Sequence, residues 1–200
     1  MDRVCEWAGE CPVRCHGDKP PLPVWSTRVD NPLGLIVGEA PGINEYVAGM
    51  GFVGKSGQEL DMYLNRFAKI PRYRFDITNV VKCAPWKGKG IDTPNAKEIA
   101  YCVTHQLLRE LGGKYKVIVA VGGVATNVLV GKTTLEKVQG IPQTTEYGVV
   151  VPVYHPAYGL RSTLHMQHIM DGFRVVGEVV RGKLVVVGDT VEVKYIEVRG

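Results

Sequence analysis

Along this chain, short runs of mainly apolar and β-branched residues alternate with longer stretches in which apolar positions recur every three or four residues, the signature of strands and helices taken in turn. Residues 33–37, 75–81, 116–121 and 149–154 are the apolar runs, rich in Val and Ile, and each is short enough for a buried strand. Ser56 is placed to cap a helix over 57–68 whose apolar face is Leu60, Met62, Tyr63, Leu64 and Phe67. Thr93 and Pro94 open a second helix that runs to residue 111, because proline in a first turn lacks only an N–H that has no helical partner anyway. Gly122 and Gly123 lead into a third helix over 124–130, and 166–180 reads as a fourth. The runs 183–187 and 190–198, around Gly188 and Asp189, read as a terminal hairpin. This alternation predicts an α/β fold: a three-layer α/β/α sandwich on a mostly parallel, four-stranded central sheet, with a C-terminal β-hairpin.

Composition bounds the picture without changing it. Two hundred residues at 45% hydrophobic content suffice for one continuous core, so 1–200 is read as a single domain, with 1–32 a cysteine-containing, proline-interrupted leader and 183–200 the hairpin. The net charge of +4 permits a polyanionic partner without demanding one. Residues 1–10 carry acidic groups and no apolar run, so they are not read as a signal peptide, and no stretch nears the ~20 apolar residues of a membrane helix. The expectation is a soluble, cytoplasmic protein with no membrane partner.

In a reducing compartment five cysteines are ligands or buried thiols rather than disulfides. Cys11 and Cys15 lie in the leader, while Cys83 and Cys102 lie far downstream, around a basic loop and the start of a helix. Four soft thiolates suit zinc or an iron–sulfur cluster. Buried apolar thiols are the plainer alternative.

Two distant segments carry the candidate chemistry. One is Gly38-Glu39-Ala40-Pro41-Gly42 with Glu45, Phe52, Val53 and Gly54 following, and the other is His155-Pro156-Ala157-Tyr158-Gly159-Leu160-Arg161. Each begins where an apolar strand stops, so both belong at the carboxyl edge of a parallel sheet, where open α/β folds bind their ligands. One shared site follows. Asn79 reaches the same edge, and Lys82, Lys87 and Lys89 surround Trp86 in the next loop, either as phosphate contacts or as a solvated basic face.

Those two segments, together with Gly49, Ser56-Gly57 and Thr78-Asn79-Val80-Val81-Lys82-Cys83, resemble the family-four uracil-DNA glycosylases, the thermostable iron–sulfur class of archaea and some bacteria. The match runs in register over most of 11–175 and leaves the terminal hairpin outside it. The resemblance implies a monofunctional glycosylase that hydrolyses deoxyuridine in DNA and so initiates base-excision repair. It implies a structural [4Fe–4S] cluster on Cys11, Cys15, Cys83 and Cys102. The first pair is separated by three residues where the family usually has two, which makes Cys5 the alternative to Cys11.

It further implies that uracil is bound by Phe52, Asn79, Glu45 and His155 with the backbone of Gly38 and Ala40. Phe52 would stack on the base, Asn79 would read its polar edge and Glu45 would stand beside C5. Catalysis would rest on His155 as the donor to O2. Ala40 stands where related families place an Asp, leaving water held by its backbone and polarised by Glu39 or Glu45. Leu160 would be a wedge, and Arg161, Lys87 and Lys89 would contact phosphates. The implied partners are uracil-containing DNA and a sliding clamp, with the protein a monomer. The segment between Cys83 and Cys102 is longer than the family's, and its altered loop over 84–92 leaves open a glycosylase of shifted or broader specificity, toward hypoxanthine or mismatched pyrimidines; a non-catalytic iron–sulfur scaffold that binds DNA is the alternative from another class.

Overall fold

The computed structural model describes residues 10–12, 22–87, 90–112, 115–159 and 163–184. In chain order its elements are β1 (Gly34–Gly38), α1 (Ile43–Ala48), α2 (Lys55–Tyr63), β2 (Phe75–Asn79), β3 (Trp86–Lys87), β4 (Gly90–Ile91), α3 (Ala96–Cys102), α4 (Leu108–Leu111), β5 (Val117–Val121), α5 (Gly123–Leu129), α6 (Leu135–Val138), β6 (Gln143–Thr145), β7 (Gly148–Val153) and α7 (Thr163–Val180). Among the described residues the main sheet has five strands in the order β2-β1-β5-β7-β6. Four of them are parallel, and β6 pairs antiparallel with β7 at the edge.

Strands β1 and β5, at the middle of the sheet, are apolar throughout because both of its faces are covered there. On β1, Ile36 faces one core while Leu35 and Val37 face the other, and on β5 Val117, Val119 and Val121 oppose Ile118 and Ala120. The first core is closed by Leu60 and Tyr63 of α2 and Ile169, Phe173 and Val176 of α7; the second by Leu107, Leu111, Ala125 and Leu129. Burial of each such side chain contributes roughly 1.5–3 kcal/mol, so the two layers of helices are what hold the sheet. The predicted three-layer α/β architecture with a mostly parallel sheet is the one observed.

Several local expectations are corrected. The sheet has a fifth strand, β6, whose Gln143, Thr144 and Thr145 give no apolar signal and which pairs only because the tight turn at Gly148 (φ 109°) folds it onto β7. The helix α2 begins at Lys55 with Gly54 as its N-cap and no side-chain cap, so Ser56 sits inside the first turn. The next helix starts at Ala96, because Asn95 accepts from Lys97 and Glu98 amides while Glu98 accepts from the Asn95 amide, a capping box that outcompetes Thr93 and Pro94. The helices that begin at Lys55 and Ala96 each continue through a wide turn, at Leu64–Ala68 and at Val103–Leu107. Strand β2 stops at Asn79, beyond which Val80 and Val81 amides still donate to the carbonyls of Gly38 and Glu39. The predicted terminal hairpin lies outside the described residues from 185 onward.

The outer edge of β2 does not face solvent bare: Thr27 bridges Ile77 antiparallel, and the Val29 amide donates to Asp76 at 2.8 Å. Asp76 also accepts from Arg28 at 2.9 Å and from the Tyr115 hydroxyl at 2.8 Å. Burial and that carboxylate push the Tyr115 phenol up to about 12. No helix among the described residues is long and apolar enough to cross a membrane.

Candidate active site

The carboxyl ends of β1, β2 and β7 enclose a cavity of ≈ 450 Å³ lined by Glu39, Ala40, Glu45, Phe52, Asn79 and His155 among others. It lies beside the point where the chain, having placed β2 on one side of β1, returns to place β5 on the other. That switch in strand order opens the crevice in which such sheets bind ligands. The two segments singled out in the sequence are therefore brought together, with Asn79 between them. Ile91, the last residue of β4, and Asp92 and Thr93 just after it line the cavity too. Nothing in their residue types marks them in advance.

Gly38 is the point around which the walls close. A methyl group there would lie 2.4 Å from Asn79 Oδ1 and 2.7 Å from the tip of the Phe52 ring, so only glycine lets ring and amide approach across the end of β1. Phe52 itself has a left-handed backbone, φ 55°, which costs a non-glycine residue about 1–3 kcal/mol unless its surroundings hold it there. Its ring stacks on the His155 imidazole, with centroids 6.3 Å apart and planes inclined by 26°. Gly57, in the first turn of α2, accommodates the Phe52 carbonyl at a distance where a side chain would put its first carbon 1.8 Å away. Arg72 donates to the carbonyls of Phe52 at 2.7 Å and Gly51 at 2.5 Å.

Glu45, expected beside the base, is tied to the same loop. Its Oε1 accepts from the amides of Val53 and Gly54, both at 2.9 Å, while the side chain also lines the cavity. One oxygen is thus committed to holding the Phe52 loop. Glu39 lines the cavity as well, and burial raises its carboxyl above the ordinary range, with the Thr93 hydrogen bond opposing and Asp92 adding. Ala40 contributes backbone and a methyl group only.

Asn79 is buried at the last position of β2. Among the described residues no group hydrogen-bonds its side-chain amide, which stays open to the cavity. Its backbone carbonyl accepts from Lys82 Nζ at 2.5 Å, and that ammonium also donates to Thr78 Oγ1 at 2.7 Å and Glu110 Oε2 at 2.6 Å. Thr78 Oγ1 donates to Glu110 at 2.6 Å, and Ser26 Oγ donates to its other oxygen. Lys82 was expected among the DNA-attracting lysines; with its side chain 1% exposed it is an interior group instead. Burial pulls its pKa below the ordinary lysine value, and Glu110 opposes the fall.

His155 follows β7. Its Nδ1 accepts from the Ala157 amide at 3.3 Å and caps the short turn Pro156–Tyr158. An imidazole whose Nδ1 accepts carries its proton on Nε2, so that nitrogen is the donor of the neutral ring. Burial lowers the imidazole below its ordinary pKa, with the charge of Glu45 opposing, and the neutral form is favoured. Gly122, beside the histidine, takes a φ of 88°, a conformation that favours glycine.

Of the four predicted thiolate ligands, Cys11, Cys83 and Cys102 are buried and belong to one apolar cluster. The Lys82 amide donates to Cys102 Sγ at 3.5 Å, a contact that suits a thiolate. Among the described residues no group of three or more His, Cys, Asp or Glu is arranged as a metal site, and Cys15, like Cys5, lies outside them. Leu160, Arg161, Lys89 and the Lys87 side chain are outside the described residues as well.

Comparison with known proteins follows the geometry. A profile of the uracil DNA glycosylase superfamily matches residues 28–173. The chain is 32% identical over 159 residues to a Type-4 uracil-DNA glycosylase of Saccharolobus solfataricus, covering 74% of this chain and 72% of that one. It is 39% identical over 132 residues to one of Thermotoga maritima, at 64% and 66% coverage, and 32% identical over 156 residues to one of Archaeoglobus fulgidus, at 72% and 75%.

Proposed function

The chain belongs to the uracil DNA glycosylase superfamily, and from that premise we propose that it hydrolyses the N-glycosidic bond of deoxyuridine in DNA, the opening step of base-excision repair. The observation that carries the reading is the convergence of an aromatic ring, an unengaged amide and a neutral imidazole, Phe52, Asn79 and His155, on one cavity of ≈ 450 Å³.

A base inside a duplex is out of reach, so it must swing out of the stack into a pocket that reads its polar edge. Phe52 supplies the stacking face. The Asn79 carboxamide accepts from uracil N3–H and donates to O4; cytosine presents the reverse pattern at those two positions, and an amide fixed in that orientation rejects it. Thymine differs only by a methyl group, against which attraction discriminates weakly, so exclusion must be steric. Glu45 and the loop it holds stand where that exclusion is made.

As the C1′–N1 bond breaks, its electron pair leaves with the base and charge collects on O2 while the sugar becomes oxocarbenium-like. His155 Nε2–H donates to that oxygen, a contribution of about 3–4 kcal/mol for a preorganised donor in a dry site. Water then adds at C1′, and its proton passes to a carboxylate. Glu39 suits that role better than Glu45, whose oxygen is already bonded to two amides. The proposed enzyme is monofunctional: water rather than a lysine takes the place of the base at C1′, and no covalent imine forms.

Cys11, Cys15, Cys83 and Cys102 would hold the structural [4Fe–4S] cluster of the proposed enzyme. It would supply a cross-link between leader and body and no redox step. Purified protein containing iron and sulfide in equal amounts, with the visible absorption of such clusters, supports this; zinc contradicts it. The function itself is tested by alkali-dependent cleavage of an oligonucleotide with a single uracil, against matched thymine, cytosine and hypoxanthine strands. Cleavage of the uracil strand alone is expected. Cleavage of none overturns the enzyme reading, and cleavage of the hypoxanthine strand overturns the specificity.

A further inference from the structure

We propose that Arg72 is a positioning residue for uracil recognition: by gripping the carbonyls of Gly51 and Phe52 it fixes the left-handed backbone that presents the Phe52 ring to the base. The proposal rests on the glycosylase reading and deepens it.

Arg72 does not line the cavity, so it acts on a base bound there only through the loop it holds. Arg72 and Glu45 together hold four consecutive residues of the Phe52 loop. On one side the Arg72 guanidinium donates through Nη1 to the Phe52 carbonyl at 2.7 Å and through Nη2 to the Gly51 carbonyl at 2.5 Å. On the other side Glu45 Oε1 accepts from the amides of Val53 and Gly54. A cation thus holds the carbonyls and an anion holds the amides, with Phe52, φ 55°, at the centre of the grip.

Two adjacent carbonyls need two donors in a fixed fork, which arginine has and lysine lacks. Asp61 of α2 steadies the guanidinium, with Nη1 3.3 Å from Oδ1. That ion pair contributes little by itself, since its side chains are 25% and 42% exposed. The grip matters through what it holds. Released, Phe52 relaxes from its left-handed conformation, and the ring leaves both Gly38 and the stack on His155.

A double-mutant cycle separates this role from a merely structural one. Arg72→Ala and Phe52→Ala are each expected to lower kcat/KM on the single-uracil strand by about 10- to 100-fold, the range of one base–aromatic stack. In the Phe52→Ala background, Arg72→Ala should cost no more than about two-fold further, because the ring through which it acts is gone. Its effect on melting temperature should be the same in both backgrounds. Arg72→Lys, which keeps the charge without the fork, should recover only part of the loss, and it replaces Arg72→Ala should the latter not fold.

Losses that multiply in full, or an Arg72→Ala enzyme as active as the parent, overturn the proposal. An independent readout needs no DNA: the His155 imidazole proton resonances, shifted by the Phe52 ring current, should move in Arg72→Ala in the direction they move in Phe52→Ala. Wild-type protein inactive on uracil would defeat the glycosylase reading, and unmoved resonances would defeat the role of Arg72.

Discussion

The two walls that meet over Gly38 are held in opposite ways. Asn79 ends a sheet strand, and its carbonyl is gripped by Lys82 from inside the protein, within a network of Glu110, Thr78 and Ser26. Phe52 stands on a loop in a left-handed conformation, gripped by an arginine that is a quarter exposed. The difference follows from what each wall does. A hydrogen bond weakens steeply once its angle strays, whereas an aromatic face tolerates offset. In the proposed enzyme the group that reads the base edge is set where it cannot move without breaking the fold, and the stacking face is set on a loop clamped at the surface.

The contrast fails most visibly if the inner wall is opened. Lys82→Met leaves the Glu110 carboxylate without its partner in a mostly buried place, and about 3–5 kcal/mol of stability should be lost, a melting-temperature drop of roughly 10 °C or more. A drop as large for Arg72→Ala would erase the distinction between the walls. Next in size is the chemistry that both walls serve. His155→Ala should lower the single-turnover rate by about 10²–10³-fold with DNA affinity kept; an unchanged rate removes the imidazole from the mechanism.

Gly57→Ala sharpens the outer wall. Its methyl group would stand 1.8 Å from the Phe52 carbonyl oxygen, a backbone atom that cannot swing aside, so the loop must shift at a cost of about 1–3 kcal/mol, read as a raised KM for uracil DNA with kcat less affected. The smallest effect is that of pH. His155 is lowered in the folded protein, so the unfolded chain binds the proton more readily. Stability from this group is fully present above the ordinary imidazole value of about 6.5 and falls as pH drops from there through the folded value. Protonation also sets Nδ1–H against the Ala157 amide. Urea unfolding between neutral and acid pH should show the fall, and His155→Gln should remove that part of the slope.

The sequence carried the parallel strands and the cavity's main residues because both depend on local pattern: Val- and Ile-rich runs that end in Gly38, Asn79 and His155. The clamps were not legible. Lys82 reads as one more charge in a basic loop, and its partner Glu110 is 28 positions away. A lysine set within Val80, Val81, Cys83 and Ala84, all apolar and all buried, is the signal that could have marked it as interior. Arg72, 20 positions from Phe52, gives no such signal, because its role lies in backbone carbonyls that any residues could provide. The strand β6 and the Gly54 cap were missed for the same kind of reason, since turn geometry and capping by backbone leave little trace in residue type.

The most direct measurement is single-turnover release of uracil by the parent and by Asn79→Ala on the same single-uracil strand, with the melting temperature of each. The account predicts that the parent releases uracil, that Asn79→Ala loses about 10-fold or more as a polar contact to the base edge disappears, and that the two proteins melt alike, since Lys82 grips a backbone carbonyl that alanine retains. Equal rates from the two proteins would contradict it, because the amide open to the cavity would then read nothing.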